Sequence, residues 1–359
     1  MIDFLVIGGG IAGVSAGARL SHLGKVVLLE GETGLAYHTS GRSAAMFEET
    51  YGKPSTLVLN RASADFHFNA NGGVLSPRGL MMVGTADDKD TFEHDLSLMK
   101  MHRISADEAL KIVPILNTDV LTDFAQHDEA WDIDTDLLIQ NFAKEIRANG
   151  GQVLTAQKVT AITRTGSGWK VQTADREFEA KTLVNAAGAW ADQIAQMAGI
   201  EPIGLQAYRR SMARIPAPGG HDVSTWPMIY GAGESWYSKP DAGALLVSPA
   251  EEDPMDPFDA WPEDMVLAEG LAKFEAVTTE AVTRLISSWA GLRTFAPDRC
   301  LVLGPDPNDR SFVWVAGQGG YGFQTAPAAS ALVAALVSGA QPEIAADVVR
   351  QLSPDRLNA

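Results

Sequence analysis

Short apolar runs recur along the chain and are separated by segments with helical periodicity. Ile2–Ile7 and Phe312–Ala316 are almost wholly apolar, and residues 182–188 form a similar run that ends in small residues. Such runs are typical of parallel strands that are buried on both faces. Residues 12–23 and 57–68 instead repeat apolar side chains at helical spacing. The pattern predicts an α/β protein in which strands and helices alternate.

The buried-type strands fall at both ends of the chain and in its middle. Broken strands with proline and aromatic residues fill the segments between them. This order predicts two interleaved domains rather than two domains in series. At 359 residues the chain is long enough to build both around substantial cores.

A glycine-rich turn follows the first strand and predicts a dinucleotide site. Gly8, Gly10 and Gly13 have G-x-G-x-x-G spacing between a strand and a helix. Gly8 permits a tight turn, Gly10 lets the backbone approach a pyrophosphate, and Gly13 lets helix and strand pack closely. Glu30 ends the second strand, where a carboxylate binds ribose hydroxyls and repels the 2′-phosphate of NADP. The alternative is a purely structural turn.

A second loop, residues 37–45, is rich in Gly, Ser and Thr before it becomes alanine-rich. We expect it to lead into another helix N-terminus, which would offer a further contact for phosphate groups.

Composition narrows the classes of partner. The formal charge of −17 and pI near 4.8 disfavour nucleic acid and anionic membranes. Cys300 is the one cysteine, so the chain has no internal disulfide and no site for zinc or an iron–sulfur cluster built from several cysteines. No signal peptide or transmembrane segment is predicted, and residues 326–337 are too short to span a bilayer. We therefore predict a cytoplasmic protein.

Five segments together resemble one family. They are the turn at residues 8–13, YHTSGRSAA at 37–45, LVNAAGAW at 183–190, WAGLR at 289–293 and QGGYG at 318–322. In this combination and order the chain resembles the FAD-dependent amino-acid oxidase and dehydrogenase superfamily, which includes D-amino-acid oxidase, glycine oxidase and sarcosine oxidase. Within it the nearest likeness is to bacterial D-arginine dehydrogenase and its D-amino-acid dehydrogenase relatives.

The resemblance implies an α/β fold with two discontinuous domains, as in D-amino-acid oxidase. A Rossmann-type FAD-binding domain would comprise residues 1–75, 147–203 and 296–359. It would be interleaved with an α+β, mixed-sheet substrate-binding domain comprising residues 76–146 and 204–295.

The resemblance also implies a set of residues that contact FAD. Those at the ADP half would be Gly8, Gly10, Ile11, Ala12, Gly13 and Glu30, with Val159 near the adenine. Those along the pyrophosphate and flavin would be Gly41, Arg42, Ser43, Ala44, Ala187, Gly188 and Trp190, followed by Gly319, Gly320, Tyr321, Gly322, Phe323 and Gln324. Relatives with covalent flavin carry the linking cysteine at the position of Gly291, and Cys300 lies downstream of it. We therefore expect non-covalent FAD and no metal.

Flavin oxidation of an amino acid removes a hydride from the α-carbon, so the protein must fix that carbon by its carboxylate. Arginine matches a carboxylate with two parallel hydrogen bonds. By resemblance, Arg210 and Arg293 would do so, while Arg209 is expected to be a surface cation. Tyr51 and Tyr237 would donate to the carboxylate or close over it. Gly320 would offer its carbonyl to the substrate amine, and Gln324 would contact the substrate or its neighbours.

Three positions depart from D-arginine dehydrogenase, and we expect them to determine specificity. Leu80 stands where that enzyme has a carboxylate for the guanidinium, Met46 replaces a histidine, and Glu48 replaces a small hydroxyl residue. Met46 and Leu80 are consistent with a pocket for apolar side chains. Alternatively, Glu48 or Glu49 receives a cationic group, or both acids are solvated.

The leading prediction is oxidative deamination of a free amino acid to a 2-imino acid, which hydrolyses to the 2-oxo acid; the resemblance favours the D-enantiomer. One alternative is a 2-hydroxy-acid dehydrogenase, because the two arginines would hold either carboxylate. The other is a flavoprotein electron-transfer subunit of a hetero-complex. The sequence identifies neither the electron acceptor, which could be oxygen, a quinone or another redox protein, nor the oligomeric state.

Overall fold

The computed structural model describes residues 1–357, which form twenty strands and nine α-helices. In chain order the strands are β1 Ile2–Ile7, β2 Val26–Leu29, β3 Met46–Phe47, β4 Leu75–Pro77, β5 Leu80–Thr85, β6 His102–Arg103, β7 Leu121–His127, β8 Trp131–Ile133, β9 Gln152–Leu154, β10 Ala161–Thr165, β11 Gly168–Gln172, β12 Glu177–Asn185, β13 Gln206–Pro216, β14 Met228–Gly231, β15 Tyr237–Asp241, β16 Ala244–Ser248, β17 Asp253–Met255, β18 Ser287–Phe295, β19 Val302–Pro305 and β20 Phe312–Ala316. The helices are α1 Ile11–Leu20, α2 Pro54–Asn69, α3 Lys89–Leu98, α4 Ala106–Ile112, α5 Thr135–Ala148, α6 Ala191–Ala198, α7 Asp264–Ala276, α8 Gly322–Ser338 and α9 Ala346–Leu352.

The first sheet has eight strands and a parallel centre. Strands β9, β2, β1, β12 and β20 run parallel in that order, and the pairs β10–β11 and β19–β20 add antiparallel strands. The central strands are buried on both faces, as their continuous apolar runs predict. Helices α1, α5 and α8 cover one face. Because the five central strands are parallel, their carboxyl ends lie together at one edge of the sheet.

The second sheet has nine mostly antiparallel strands in the order β17-β13-β16-β15-β14-β5-β7-β6, with β18 also paired to β13. One face packs Met81, Ile229 and Val247 against the helices α4 and α7. Because side chains alternate between the faces of a strand, the neighbouring positions point to the opposite face.

A third, three-stranded sheet joins β3, β8 and β4. It places Met46–Phe47 in an extended segment, so the helix predicted after residues 37–45 is wrong: one 3-10 turn, Thr39–Arg42, leads instead into β3. The backbone pairing of Met46 with Asp132 stabilises this extended conformation.

The fold class is confirmed: a Rossmann-type sheet and a mixed second sheet are interleaved along the chain. The predicted domain boundaries stay a prediction, and α5, which ends beside one of them, packs into the core of the first sheet. None of the helices in residues 1–357 combines the length and hydropathy that a membrane span requires. The cytoplasmic location also stays a prediction.

Candidate active site

An elongated cavity of about 560 Å³ runs from the carboxyl ends of β1, β2 and β12 to the second sheet. Topologically this is the edge at which doubly wound sheets bind dinucleotides. Most of the predicted cofactor residues line it, namely Gly8, Gly10, Ile11, Ala12, Glu30, Arg42, Ser43, Ala44, Val159, Ala187, Gly188, Trp190, Gly319, Gly320, Gly322, Phe323 and Gln324. One continuous cavity therefore unites motifs from both ends of the chain.

The glycine turn has the close contacts that its spacing predicts. Gly8 has a φ of +110°, and a Cβ atom there would lie 2.3 Å from the carbonyl oxygen of Ala186. A Cβ at Gly13 would lie 1.9 Å from the carbonyl oxygen of Gly8. Gly13 does not line the cavity; it allows α1 to begin directly against β1. Glycine is required at both positions by the backbone itself.

The first turn of α1 presents free backbone donors to the cavity. Gly10 is the N-cap of α1 and has no side chain to satisfy them. The N–H of Ile11 donates to Ser40 Oγ at 3.0 Å, which ties the second loop to the glycine turn. Glu30 Oε2 accepts from the N–H of Gly9 at 2.6 Å, so the carboxylate is held at the end of β2. This is an arrangement for diphosphate and ribose groups.

Two other predicted cofactor residues have structural contacts instead of a place on the cavity wall. A Cβ at Gly41 would lie 2.2 Å from the carbonyl oxygen of Ala36, so Gly41 permits the 3-10 turn. Tyr321 lies outside the lining and packs its ring 5.3 Å from that of Tyr51. Arg42 lines the cavity, but its guanidinium binds the carbonyl oxygens of Ala260 and Ala290. Arg42 thereby joins the loop to the second sheet.

Sequence reasoning missed several lining residues beside the motifs. Thr294 Oγ1 and Gln318 Nε2 are buried, line the cavity and have no hydrogen-bond partner among the described residues. Polar atoms buried in this way are normally paired. Thr294 and Gln318 are therefore two residues whose polar groups the described chain leaves free on this stretch of the cavity wall. Gln318 is the first residue of the QGGYG segment and Thr294 directly follows WAGLR, and these positions are the only sequence signal for them.

Arg210 and Arg293 lie on the same face of the second sheet. In the register of β13 and β18, Arg210 lies opposite Gly291 and Arg293 opposite Tyr208, two positions along. Arg210 Nε and Nη1 are buried without a partner, and its Nη2 has one weak contact, 3.4 Å from Glu252 Oε1. No hydrogen bond or salt bridge joins the Arg293 guanidinium to another residue in 1–357, and the charged group that acts on it is the carboxylate of Glu234. Two guanidinium groups with free donors face one cavity, which is a site for an anion.

The expectation that Arg209 is a surface cation is wrong. Arg209 is 5% exposed and binds Asp253 Oδ2 at 2.7 Å and Glu263 Oε2 at 2.8 Å. Strand alternation points it to the face opposite Arg210. It is a buried structural cation and does not reach the cavity.

The two predicted phenols differ in their position. Tyr237 is buried and lines the cavity. Tyr51 lies just outside the lining, and its hydroxyl donates to Glu234 Oε2 at 3.2 Å. Burial raises the pKa of the Tyr51 phenol, and the charge of Glu234 raises it further against the opposing effect of Arg293. Tyr51 is therefore a hydrogen-bond donor and not a base at neutral pH.

Gly320 and Gln324 both lie at the substrate end of the cavity. A Cβ at Gly320 would lie 3.0 Å from Arg293 Cζ, so the guanidinium rests directly on the glycine backbone. Gln324 lines the cavity, but its amide is engaged with the backbone. Its Nε2 donates to the carbonyl of Tyr51 at 3.3 Å, and its Oε1 accepts from the N–H of Glu48 at 3.4 Å.

The three predicted specificity residues lie at different distances from the cavity. Met46 lines the cavity, whereas Leu80 and Glu48 lie behind it and are 6% and 5% exposed. Leu80 belongs to an apolar cluster with Met212 and Tyr237, against which Met46 packs. Glu48 Oε2 lies 2.6 Å from His127 Nε2, so this acid is neither solvated nor open to a ligand.

Comparisons with known proteins agree with this site. The family model of FAD-dependent oxidoreductases called DAO matches residues 3–336. This chain belongs to that family. It is 23% identical over 403 residues to FAD-dependent oxidoreductase domain-containing protein 1 of Bos taurus, spanning 93% of this chain and 81% of that protein.

Solved structures of other oxidoreductases share the DAO fold. The chain superposes on L-proline dehydrogenase from P. horikoshii with a TM-score of 0.85 at 20% identity, covering 99% of this chain and 98% of that one. Glycine oxidase from Geobacillus kaustophilus gives a TM-score of 0.82 at 20% identity, covering 98% and 97%. The prediction of an FAD-dependent oxidoreductase of the DAO family is confirmed, and so is its cofactor, FAD. The specific likeness to D-arginine dehydrogenase stays a prediction.

Proposed function

We propose that this DAO-family protein oxidises a free amino acid, with a preference for the D-enantiomer, at its α-carbon. The product would be a 2-imino acid, which hydrolyses to the 2-oxo acid. The observation that carries this proposal is the pair of guanidinium groups with free donors, Arg210 and Arg293, on the cavity face of the second sheet. Bound FAD would supply the acceptor for the hydride.

The substrate carboxylate would satisfy donors that the protein leaves free. Arg293 makes no salt bridge within residues 1–357, although the charge of Glu234 acts on it, and Arg210 has only a weak contact with the partly exposed Glu252. A buried charge without a partner costs roughly several kcal/mol. Binding of an anion that pairs with both guanidinium groups is therefore strongly favoured. Tyr237 lines the same region and would add a phenolic donor. Together these side chains would fix the α-carbon in one orientation.

The acid–base groups of the cavity favour an amine over a hydroxyl substrate. An amino acid can lose the extra proton of its ammonium group to solvent before it binds, and hydride removal from the neutral amine then needs no base, whereas a 2-hydroxy acid must lose its hydroxyl proton within the site. Among the cavity-lining residues of the described chain, the one histidine is His38. It pairs with Glu32 Oε1 at 3.1 Å, so this imidazole is engaged with a carboxylate two residues beyond the predicted ribose-binding Glu30. This supports the amino acid and leaves the 2-hydroxy acid as the second candidate.

The side-chain end of the cavity favours small apolar substrates. Met46 and Tyr237 close this end, and the buried cluster behind them contains Leu80, Met82 and Leu246. No carboxylate from this cluster faces the cavity within residues 1–357, and Glu48 is already paired. We therefore propose that arginine is a poor substrate despite the likeness to D-arginine dehydrogenase.

Non-covalent attachment of FAD is also part of the proposal. Gly291 lines the cavity, and Cys300 lies outside it with its Sγ 3.7 Å from Ser55 Oγ. The single thiol would therefore be out of reach of the flavin.

The decisive experiment is anaerobic mixing of the FAD-loaded protein with D-amino acids, L-amino acids and 2-hydroxy acids, each in a series of increasing side-chain length. We expect D-alanine and other short apolar D-amino acids to bleach the flavin absorbance fastest, and D-arginine slowly. Bleaching by 2-hydroxy acids alone would replace the leading proposal with the second candidate. Bleaching by no member of the panel would favour the electron-transfer subunit.

A further inference from the structure

A buried ion pair lies directly behind the substrate end of the cavity. Glu48 Oε2 and His127 Nε2 are 2.6 Å apart, and their side chains are 6% and 12% exposed. Glu48 Oε1 accepts from both the N–H and the hydroxyl of Thr50 at 2.7 Å. Since a buried carboxylate is stable only when it is paired and hydrogen-bonded, the local backbone is folded around this charge.

The ion pair anchors the segment that carries Tyr51, residues 48–51. Two of the anchors of this segment come from the FAD-binding side. Asn60 Nδ2 on α2 donates to the carbonyls of Glu48 and Tyr51 at 3.2 and 3.0 Å, and Gln324 on α8 binds both residues as described above.

His127 supplies the anchor from the second sheet. It ends β7, opposite Leu80 and on the sheet face that carries Arg210 and Arg293. Tyr51 makes a further polar link on this side, from its hydroxyl to Glu234 Oε2 at 3.2 Å. Glu234 is an exposed residue, so water screens this contact more than the Glu48–His127 pair.

We propose that Glu48 and His127 form a positioning pair, which holds Tyr51 in register with the two carboxylate-binding arginines across the boundary between the sheets. This inference rests on the proposed carboxylate site. It assigns His127 no direct contact with the substrate. Instead, breaking the pair would release residues 48–51 from the second sheet and weaken carboxylate binding.

The pair has a defined dependence on pH. The Glu48 carboxylate, 2.6 Å away, raises the pKa of His127, burial opposes it, and the charges of Glu129 and Asp128 add to the increase. Protonated His127 is thus favoured in the folded protein. The contribution of the pair is complete below the ordinary imidazole pKa of about 6.5 and is lost as pH rises through the raised value.

Benzoate binding to the FAD-loaded protein, followed by the flavin difference spectrum, tests the proposal. Benzoate offers a carboxylate and has no group that titrates between about pH 6 and 9. We expect its Kd for the native protein to rise about fivefold across this range. His127→Gln should bind benzoate about fivefold more weakly at the lower pH and lose the pH step, with flavin content unchanged. The double variant Glu48→Gln/His127→Gln, which restores a neutral hydrogen-bonded pair, should recover most of the affinity without the step.

The matched control is His22→Gln, which breaks the exposed His22–Glu145 pair of 2.8 Å and should leave the profile of the native protein unchanged. A pH-independent Kd for the native protein would overturn the positioning pair and leave the proposed function standing. The native profile decides this even if the variants fail to fold. A complete absence of benzoate binding at every pH would overturn the carboxylate site and, with it, this inference.

Discussion

The two ends of the cavity are built in opposite ways. At the nucleotide end the ligand-facing surface is backbone, and the decisive residues are glycines such as Gly8 and Gly10 that leave room for it. At the substrate end the surface is made of long side chains, with Arg210 and Arg293 at its centre. The nucleotide end depends on the absence of side chains at its glycines. The substrate end depends on guanidinium groups that keep free donors. A cofactor common to a whole family suits the first design, and a variable substrate suits the second.

The charged groups at the two ends of the cavity also differ in whether the protein itself supplies their hydrogen-bond partners. Glu30 at the nucleotide end already accepts hydrogen bonds from the backbone N–H groups of Gly9 and Glu32. Arg293 at the substrate end has no such partner among the described residues. The acidic group of the first end is therefore already satisfied in the folded chain, whereas the Arg293 guanidinium gains a partner only with an anion bound.

The largest expected effect is at the nucleotide end. Gly8→Ala would place a Cβ 2.3 Å from the carbonyl oxygen of Ala186 at a φ of +110°. Strain and overlap together cost about 2–5 kcal/mol, which the turn can relieve only by moving away from the cofactor. We expect protein purified without flavin colour and with a lower Tm, measured by the ratio of visible to ultraviolet absorbance and by thermal melting.

Gly34→Ala is the control, because a Cβ there meets nothing within 4 Å. It should retain full flavin content. If Gly8→Ala also retained it, the backbone turn would not be the determinant of cofactor binding, and the contrast between the two ends would fail.

The next effect is at the substrate end and leaves the cofactor in place. Arg293→Ala should keep its yellow colour and lose a charge-assisted contact to the carboxylate of about 1.5–3 kcal/mol. The KM for the best amino acid should rise roughly ten- to a hundredfold, as measured by steady-state kinetics with an artificial acceptor. The rise in KM should be smaller for Arg210→Ala, because Glu252 already pairs weakly with this guanidinium in the native protein.

Arg214→Ala is the matched control, since Arg214 lies on the same strand and is paired with Asp241 at 2.6 Å. Its KM should stay within about twofold of the native value. Equal kinetics for Arg293→Ala and Arg214→Ala would show that the carboxylate binds elsewhere.

The sequence predicts the nucleotide end better than the substrate end for a physical reason. The requirement for glycine is largely local, because a Cβ at Gly13 would meet the carbonyl of Gly8 and the φ of +110° at Gly8 strains any other residue. Arg210 and Arg293 were found by resemblance, but the sequence alone did not separate them from Arg209. Strand alternation separates them once the register of β13 is known.

Contacts between distant segments could not be predicted at all. Glu48 is a candidate acceptor for a substrate cation in the sequence, and only the fold shows that His127 already occupies it. Leu80 is likewise an apolar specificity residue in the sequence, and the fold places it behind Met46. Both outcomes depend on side-chain packing across two sheets, which residue spacing does not encode.

The smallest expected effect concerns Thr294, which lines the cavity between the two ends. Its Oγ1 is buried and has no partner within residues 1–357, whereas its carbonyl accepts from the N–H of Gly319 at 2.8 Å. Thr294→Val keeps the shape and the backbone bond and removes one hydroxyl. Because a buried hydroxyl without a partner is costly, the apoprotein should melt at the same or a higher temperature.

The affinity for FAD should nevertheless fall about three- to tenfold in Thr294→Val, the value of one hydrogen bond. Titration of apoprotein with FAD measures it, and Thr163→Val on the exposed strand β10 is the control. Opposite changes in apoprotein stability and FAD affinity would show that the hydroxyl is kept for the cofactor. Parallel losses in both would make Thr294 a structural residue, and backbone atoms alone would then account for this stretch of the cofactor wall.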